Sequence, residues 1–261
     1  MEAFELDRPW GTLRVLDAGG AGAPLVVAHG VGSSAQFVHE AFGAPLADAG
    51  WRVVAFDLRG HGGSSPARRP VDHRLEAHAE DLWTVAAEIG ARAVGGISLG
   101  GHAAVAVALE DPSAVEVVLA CIPAWTGRAV PGTGPHAAVA ERVRDVGIRA
   151  VVTGFESDDA LPRWLRRVLI RDWTAADAES LRVALEGLEG GMAPTEAELR
   201  RLTVPLAVVA WPDDPGHPIE VAGAWADWAP RASLETLPLD DLEEDLESFG
   251  RAAARALDRL L

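Results

Sequence analysis

Gly96-Ile97-Ser98-Leu99-Gly100 is the most informative segment of the sequence, because it fits the pattern G-x-S-x-G between a strand-like run and a helix-forming run. The strand-like run is Ala91–Val94 and the helix-forming run is Ala103–Leu109. A serine in a sharp strand-to-helix turn projects its hydroxyl over the edge of a sheet, where helix amides favour a developing negative charge. Glycine-rich turns of this kind also form for packing reasons alone. The motif makes Ser98 a candidate nucleophile that the surrounding sequence has to support.

Short apolar runs alternate with helical patterns on both sides of this turn. Three continuous apolar runs are typical of parallel strands buried on both faces: Leu25–Ala28, Val53–Phe56 and Val117–Ala120. Helices are predicted between them at Ala35–Ala49, Leu75–Ile89 and Gly101–Leu109. Leu13–Leu16, followed by a turn-rich segment, indicates a hairpin at a sheet edge. This order predicts an α/β fold with a mostly parallel sheet and helices on both of its faces.

The alternation stops between residues 130 and 202, where the pattern is mainly helical. The amphipathic stretches there are Ala137–Val151, Leu161–Ile170 and Ala175–Leu188. The alternation of strands and helices then resumes. Its predicted elements are the strand Leu206–Ala210, a helix near Ile219–Trp228, the strand Ala232–Leu237 and a C-terminal helix from about Asp240. We therefore expect a core of residues 1–129 and 203–261. Residues 130–202 are expected to form a helical cap inserted after the sixth strand, over the edge where open α/β sheets bind ligands.

Composition and charge exclude several classes of protein. The 261 residues carry 23 Lys and Arg against 39 Asp and Glu, a net charge of −16 that disfavours nucleic acids and anionic membranes as partners. The single cysteine, Cys121, excludes a disulfide framework and is expected to be a buried strand residue. No apolar stretch approaches the roughly 18 residues of a membrane span, and Met1–Asp7 lacks the features of a signal peptide. A cytoplasmic protein that binds a small molecule, without a metal or cofactor, is expected.

Two further segments follow strands in a recognisable order. His29-Gly30-Val31-Gly32-Ser33-Ser34 follows the third strand, and Asp57-Leu58-Arg59-Gly60-His61-Gly62-Gly63-Ser64 follows the fourth. With the turn at Ser98, the helical insertion and a late acidic loop, the chain resembles the alpha/beta-hydrolase superfamily over nearly its whole length. The resemblance implies a nucleophile at Ser98 and a structural turn at Asp57–Ser64. It also implies an oxyanion loop at His29–Gly32, where amides near Gly30 and Val31 would act with the Leu99 amide.

The late acidic loop is Trp211-Pro212-Asp213-Asp214-Pro215-Gly216-His217-Pro218, which follows the strand Leu206–Ala210. It resembles the loop that carries the acid of the catalytic triad in the family, and Asp214 matches the acid itself. The alternative is that Asp213 and Asp214 cap the following helix or shape a proline-containing turn.

The histidine of the triad is missing from its usual place in the family, the loop after the last strand. Residues 236–246 contain no histidine, and none follows His217 in the chain. Apolar residues at helical spacing start close behind the strand, so the loop is predicted to be shortened. His217, three residues after Asp214, is the best substitute base, although it could instead hydrogen-bond within its own turn. His61 and His102 resemble structural positions, and His29 is expected chiefly to order its loop.

Tryptophans are the candidate substrate-binding side chains. Trp125 follows the sixth strand and is expected to face the pocket, and Trp164 and Trp173 of the cap could line it. Such a lining would favour an apolar or aromatic ligand, although packing between cap and core explains these residues equally well.

Four functions remain open on the sequence alone. The first is a hydrolase of an ester, thioester or lactone that uses Ser98, Asp214 and His217. The second is a non-hydrolytic enzyme on the same fold, such as a lyase, cyclase or carbon–carbon bond-forming catalyst, which the missing histidine favours. The third is a binding protein without turnover. The fourth is a dinucleotide-binding protein, because residues 30–35 fit G-x-G-x-x-A after a strand and Asp57 ends the next strand.

Overall fold

A computed structural model describes residues 1–128, 135–188 and 191–261 of the chain. The strands are β1 Glu2–Arg8, β2 Gly11–Asp17, β3 Ala23–Ala28, β4 Trp51–Phe56, β5 Ala93–Ile97, β6 Val117–Cys121, β7 Leu206–Ala210 and β8 Ala232–Thr236. They form one sheet in the order β1-β2-β4-β3-β5-β6-β7-β8. The β1–β2 and β2–β4 pairs are antiparallel, and the remaining neighbours are parallel. The predicted mostly parallel sheet is confirmed. A hairpin lies at its edge, but it joins β1 to β2; the turn-rich segment after Leu16 forms no hairpin, because β4 lies between β2 and β3.

The helices of the described residues follow the predicted alternation. They are α1 Ala35–Asp48, α2 Leu75–Ile89, α3 Leu99–Glu110, α4 Pro135–Val146, α5 Ile148–Glu156, α6 Arg163–Ala175, α7 Ala178–Gly187, α8 Glu196–Arg201, α9 Ile219–Trp228, α10 Leu239–Glu244 and α11 Ser248–Asp258, with a 3₁₀ turn at Pro70–His73. Helices α4 to α8 lie between β6 and β7, in the segment expected to be a cap. The expected first residue of that cap, 130, lies outside the described residues. None of the helices described is both long and apolar enough to span a bilayer.

Two hydrophobic cores sandwich the sheet, because alternate side chains of a strand point to opposite faces. Val26 and Ala28 of β3 pack in one core, which helices α2, α3 and α9 cover. Leu25 and Val27 pack in the other core, which α1 and α11 cover. A third cluster joins α4, α5, α6 and α7 to one another. Cys121 is completely buried at the end of β6, as expected, and burial raises the pKa of its thiol.

Two helices predicted as continuous are each broken in two. The predicted helix Ala137–Val151 is divided at Gly147, whose φ of +82° and ψ of 155° are far from helical values and are readily adopted only by glycine. The predicted C-terminal helix is divided at Asp245, which has extended backbone angles of −152° and 108°. The Asp245 carboxylate accepts a hydrogen bond from the Glu247 amide, so the side chain competes with helix formation there. Apolar periodicity continued across both breaks and therefore concealed them.

Candidate active site

Ser98 sits in a strained turn between β5 and α3. Its φ of +50° and ψ of −113° lie outside the regions that a residue with a side chain normally adopts. Its amide donates to the Cys121 carbonyl across the sheet at 2.8 Å. A Cβ atom added at Gly96 would lie 2.1 Å from the Gly100 carbonyl carbon, and one added at Gly100 would lie 2.3 Å from the Ala28 oxygen. The two glycines are therefore needed for α3 to approach β3 and β5 this closely.

The structure brings His217 and Asp214 into line with Ser98. His217 Nε2 lies 3.0 Å from Ser98 Oγ, and His217 Nδ1 lies 2.6 Å from Asp214 Oδ2. The side chains of both His217 and Asp214 are only 18% exposed. The three side chains that the sequence suggested as a catalytic group thus form one continuous row of hydrogen bonds.

One short loop supplies both the acid and the imidazole. It connects β7 to α9, and within it the His217 amide donates to the Asp214 carbonyl at 3.2 Å while the Gly216 amide donates to Asp214 Oδ1 at 2.8 Å. Burial by itself raises the pKa of the Asp214 carboxyl, but the hydrogen bonds and charge of His217, with the backbone amides, bring that pKa below its usual value. The carboxylate therefore stays ionised and fixes the orientation of the imidazole.

The loop that lacks a histidine is too short to deliver one. Only Leu237 and Pro238 lie between the end of β8 and the start of α10. Strand β7 lies two positions from β5 in the sheet, and the loop that leaves its carboxyl end reaches the Ser98 turn from that side. The predicted shortening is therefore confirmed, and the neighbouring loop carries the imidazole.

The segment after β3 lies directly against Ser98. A Cβ atom added at Gly30 would lie 3.5 Å from Ser98 Cβ. The Gly30 carbonyl accepts hydrogen bonds from His29 Nδ1 at 2.7 Å and from the Ser33 amide at 3.2 Å. In a trans peptide the N–H points opposite to the C=O, so these bonds also fix the direction of the Val31 N–H. The Leu99 N–H belongs to the first turn of α3, where amides have no partner within the helix.

Two buried histidines hold this loop from below. His29 Nε2 accepts from the Leu58 amide at 2.9 Å, so the proton lies on Nδ1, which donates to Gly30. His61 Nε2 accepts from the Gly32 amide at 3.0 Å. Burial lowers the pKa of His29, and burial together with the nearby His29 lowers the pKa of His61 to about 3. Both rings are neutral near pH 7, and both act through the backbone of the loop because neither is exposed.

The tryptophans differ in their surroundings. Trp125 is partly buried, its ring centre lies 4.6 Å from that of His102, and it packs against the core that α2, α3 and α9 cover. The suggestion that Trp164 lines the pocket is wrong, because its side chain is buried between Phe37 and Trp211 in the opposite core. Trp211, which no sequence motif marks as functional, belongs to the acidic loop, and its ring meets that of His217 edge-on at 6.3 Å.

Trp173 is also buried, and its indole N–H donates to the Gly32 carbonyl at 2.9 Å. Because 141 residues separate the two partners, no local pattern in the sequence signals this contact.

The structure argues against the dinucleotide alternative. The Asp57 carboxylate is buried and accepts hydrogen bonds from the amides of Ala35 at 2.8 Å and Gly63 at 2.9 Å. Its two oxygens are therefore already engaged by backbone amides of the protein, which leaves the carboxylate poorly placed to bind a ribose. Gly30, the first glycine of the pattern, lies against the Ser98 turn.

Comparisons with known proteins agree with this architecture. The family model described as alpha/beta hydrolase fold matches residues 23–133. No curated protein sequence matches the chain. The solved structure of the enol-lactonase from Burkholderia xenovorans LB400 is similar, with a TM-score of 0.80, 20% identity, and coverage of 97% of this chain and 99% of that chain. A thermophilic esterase from Thermogutta terrifontis has a TM-score of 0.77 and 23% identity, and the match covers 100% of this chain and 99% of that chain.

A third similar structure is a bottromycin epimerase, with a TM-score of 0.73, 22% identity and coverage of 100% of both chains. Because proteins with such different names share one architecture, these similarities establish the fold and not the reaction. The sheet order, the turn at Ser98 and the family model agree with one another. The chain therefore has the alpha/beta-hydrolase fold.

Proposed function

We propose that this protein is a serine hydrolase that cleaves an ester, thioester or lactone of a small apolar or aromatic molecule. The observation that carries the proposal is the row of hydrogen bonds from Ser98 Oγ through His217 to Asp214 Oδ2, with separations of 3.0 Å and 2.6 Å. A neutral serine is a weak nucleophile and needs a base at this distance to accept its proton.

Acylation follows from this arrangement. Ser98 Oγ attacks the carbonyl carbon of the substrate while His217 Nε2 takes the hydroxyl proton. The carbonyl π bond breaks, and its electrons form an oxyanion that the amides of Leu99 and Val31 stabilise. When the intermediate collapses, the bond to the leaving alkoxide or thiolate breaks and His217 returns the proton to that group. Asp214 stabilises the imidazolium ion in between without taking a proton.

Deacylation repeats the same steps with water. His217 removes a proton from a water molecule, whose oxygen attacks the acyl carbon of the Ser98 ester. The second oxyanion occupies the same site, and its collapse breaks the bond to Ser98 Oγ. His217 then returns the proton to Ser98 Oγ, the carboxylic acid leaves, and the free enzyme is restored.

The substrate class rests on the side chains near the nucleophile and on net charge. Val31 and Trp125 are apolar or aromatic and partly buried near the Ser98 turn. The net charge of −16 disfavours a polyanionic substrate such as a nucleic acid. In this proposal α4 to α8 act as the cap over the substrate, and neither a metal nor an organic cofactor takes part. The cytoplasmic location stays a prediction.

The alternatives lose their main support. A lyase, cyclase or carbon–carbon bond-forming enzyme, or a protein that only binds a ligand, was favoured because the usual loop lacks a histidine. His217 now lies within hydrogen-bonding distance of Ser98 Oγ, so the absence from that loop no longer argues against hydrolysis.

The test is labelling with a fluorophosphonate serine probe together with hydrolysis of short aryl esters. We expect the wild-type protein to be labelled and active, and Ser98→Ala and His217→Ala to lose about 10⁶-fold in kcat. Ser113→Ala, which removes an exposed hydroxyl beyond α3, is the control and should behave like the wild type. A folded wild-type protein that is neither labelled nor active on esters, thioesters or lactones would refute the proposal and favour a non-hydrolytic enzyme or a binding protein.

A further inference from the structure

Gly32 links the oxyanion loop to two distant parts of the chain. Its N–H donates to His61 Nε2 at 3.0 Å, and its carbonyl accepts from the indole N–H of Trp173 at 2.9 Å. His61 belongs to the turn after β4, whereas Trp173 belongs to α6 of the helical insertion. Both polar backbone groups of this residue are thus fixed by side chains, one from the core and one from the insertion.

Packing fixes Trp173 in the position from which it donates. Its side chain is buried, and its ring meets that of Phe155 edge-on at 5.1 Å within the cluster formed by α4 to α7. Gly32 has a φ of +73°, and a Cβ atom there would lie 2.8 Å from Trp173 Nε1. The indole therefore presses against the backbone of the loop without room for a side chain between them.

Val31 connects this contact with the proposed oxyanion amide. Its side chain packs against the core that α2, α3 and α9 cover, and also against the cluster of the helical insertion. The loop thus lies between two bodies of apolar side chains. On the side of the insertion, Trp173 donates its hydrogen bond to Gly32, which is the residue after Val31, whose amide is proposed to bind the oxyanion.

We propose that Trp173 is a positioning residue that holds the oxyanion loop in its active geometry, so that the helical insertion helps to stabilise the transition state without touching the reacting atoms. This inference rests on the proposed function. The Gly32 carbonyl and the Ser33 N–H belong to one peptide group, and the Ser33 N–H is one of the two donors that hold the Gly30 carbonyl. When the indole N–H is lost, this peptide can rotate, and the hold on the Gly30 carbonyl, and with it on the direction of the Val31 N–H, weakens. An oxyanion donor acts in the transition state more than on the bound substrate, so kcat falls while KM changes little.

The protein offers a matched pair of substitutions in one helix. Trp173→Phe removes the indole N–H that bonds to Gly32. Trp164→Phe makes the same chemical change in α6 at a side chain that is only 2% exposed and whose Nε1 has no hydrogen-bond partner among the described residues. Replacement of Trp173 by benzothienylalanine removes the N–H but keeps the shape of the ring, which controls for packing and for failure to fold.

We expect Trp173→Phe and the benzothienylalanine variant to lower kcat by about 10- to 100-fold with KM within about twofold, a part of the loss seen when an oxyanion donor is deleted. The affinity for an aryl boronic acid, which forms a tetrahedral adduct with a serine oxygen, should fall by a similar factor. Trp164→Phe should leave kcat and boronic acid affinity unchanged.

Two negative outcomes have different meanings. If kcat and boronic acid affinity of the benzothienylalanine variant equal those of the wild type, the positioning role is refuted while hydrolysis by Ser98 stands. If Ser98→Ala keeps the activity of the wild type, the proposed function itself fails.

Discussion

Asp214 and His217 close a single turn, in which the His217 amide donates to the Asp214 carbonyl and the His217 ring donates to the Asp214 carboxylate. In the usual arrangement of the family the acid and the base come from two loops. Here a proline on each side of the Gly216-His217 pair restricts the backbone of the one loop that holds both. At the scale of single residues, the proposed pairing of acid and base therefore depends on the local geometry of one loop.

Asp214→Asn should lower kcat by about 10⁴-fold without unfolding the protein. The amide oxygen of asparagine can still accept from Gly216, which leaves the amide NH₂ facing His217 Nδ1. The imidazole then carries its proton on Nε2, the atom that has to accept the proton of Ser98. Steady-state hydrolysis of an aryl ester measures the effect.

Asp213→Asn is the control for that substitution, because it removes the same charge from an exposed side chain one position earlier. It should keep kcat within about twofold of the wild type, as surface changes outside a site usually have small effects. Equal kcat values for the two variants would contradict the role assigned to Asp214.

At the scale of secondary-structure elements, the turn from β5 into α3 depends on a close approach of two backbones. Gly96 and Gly100 meet within the turn, and Gly100 lies against the carbonyl of Ala28 in β3. This contact brings the N-terminus of α3 under Ser98 and next to the loop that follows β3. The glycines of the motif therefore determine the position of a helix as well as the shape of a turn.

Gly96→Ala should reduce the free energy of unfolding by about 3 kcal/mol or more, because its Cβ would overlap the backbone of Gly100. Gly223→Ala, inside α9 and with no atom within 4 Å of the added Cβ, should instead raise it by up to about 1 kcal/mol. Urea unfolding of both variants measures the difference. Similar stabilities would show that the backbone of the turn relaxes freely.

At the scale of the whole molecule, several buried histidines take no part in the hydrogen bonds that join Ser98, His217 and Asp214. His102 is fully buried, and its Nε2 accepts from the Ala124 amide at 3.0 Å. Burial, with a smaller effect of His217, lowers the pKa of His102 to about 3, and the pKa of His61 is also about 3. Both values lie below the ordinary histidine value of 6.5, so the unfolded chain binds more protons than the folded one between these limits.

The free energy of unfolding should therefore decrease as the pH falls below about 6.5, by about 2 kcal/mol for each of the two histidines between pH 7 and pH 5. His102→Gln keeps a hydrogen-bond acceptor and should flatten the dependence by about 1.4 kcal/mol per pH unit. Urea unfolding at several pH values measures the slope. His61→Gln is the second variant. If the free energy of unfolding of both variants depends on pH as steeply as that of the wild type, the two histidines are not the cause of this dependence.

Local patterns in the sequence predicted the sheet and the Ser98 turn, because strands buried on both faces are apolar runs and the glycine spacing is short. Periodicity did not predict the helix break at Gly147 or that at Asp245, since apolar spacing continues across each. His217 was identified as a substitute base by its place after β7, but the 3.0 Å contact with Ser98 depends on the order of strands in the folded sheet. The Trp173–Gly32 bond depends on tertiary packing alone.

The single loop that carries Asp214 and His217 has a mechanical consequence. When two loops hold an acid and a base, either loop can drift and change the distance between them. Here a displacement of residues 211–218 moves both groups together as a rigid body, so the 2.6 Å bond between them is preserved and the separation from Ser98 is the only coordinate that changes. Movement of this loop therefore connects the acid and the base to the nucleophile, or disconnects them from it, as a unit.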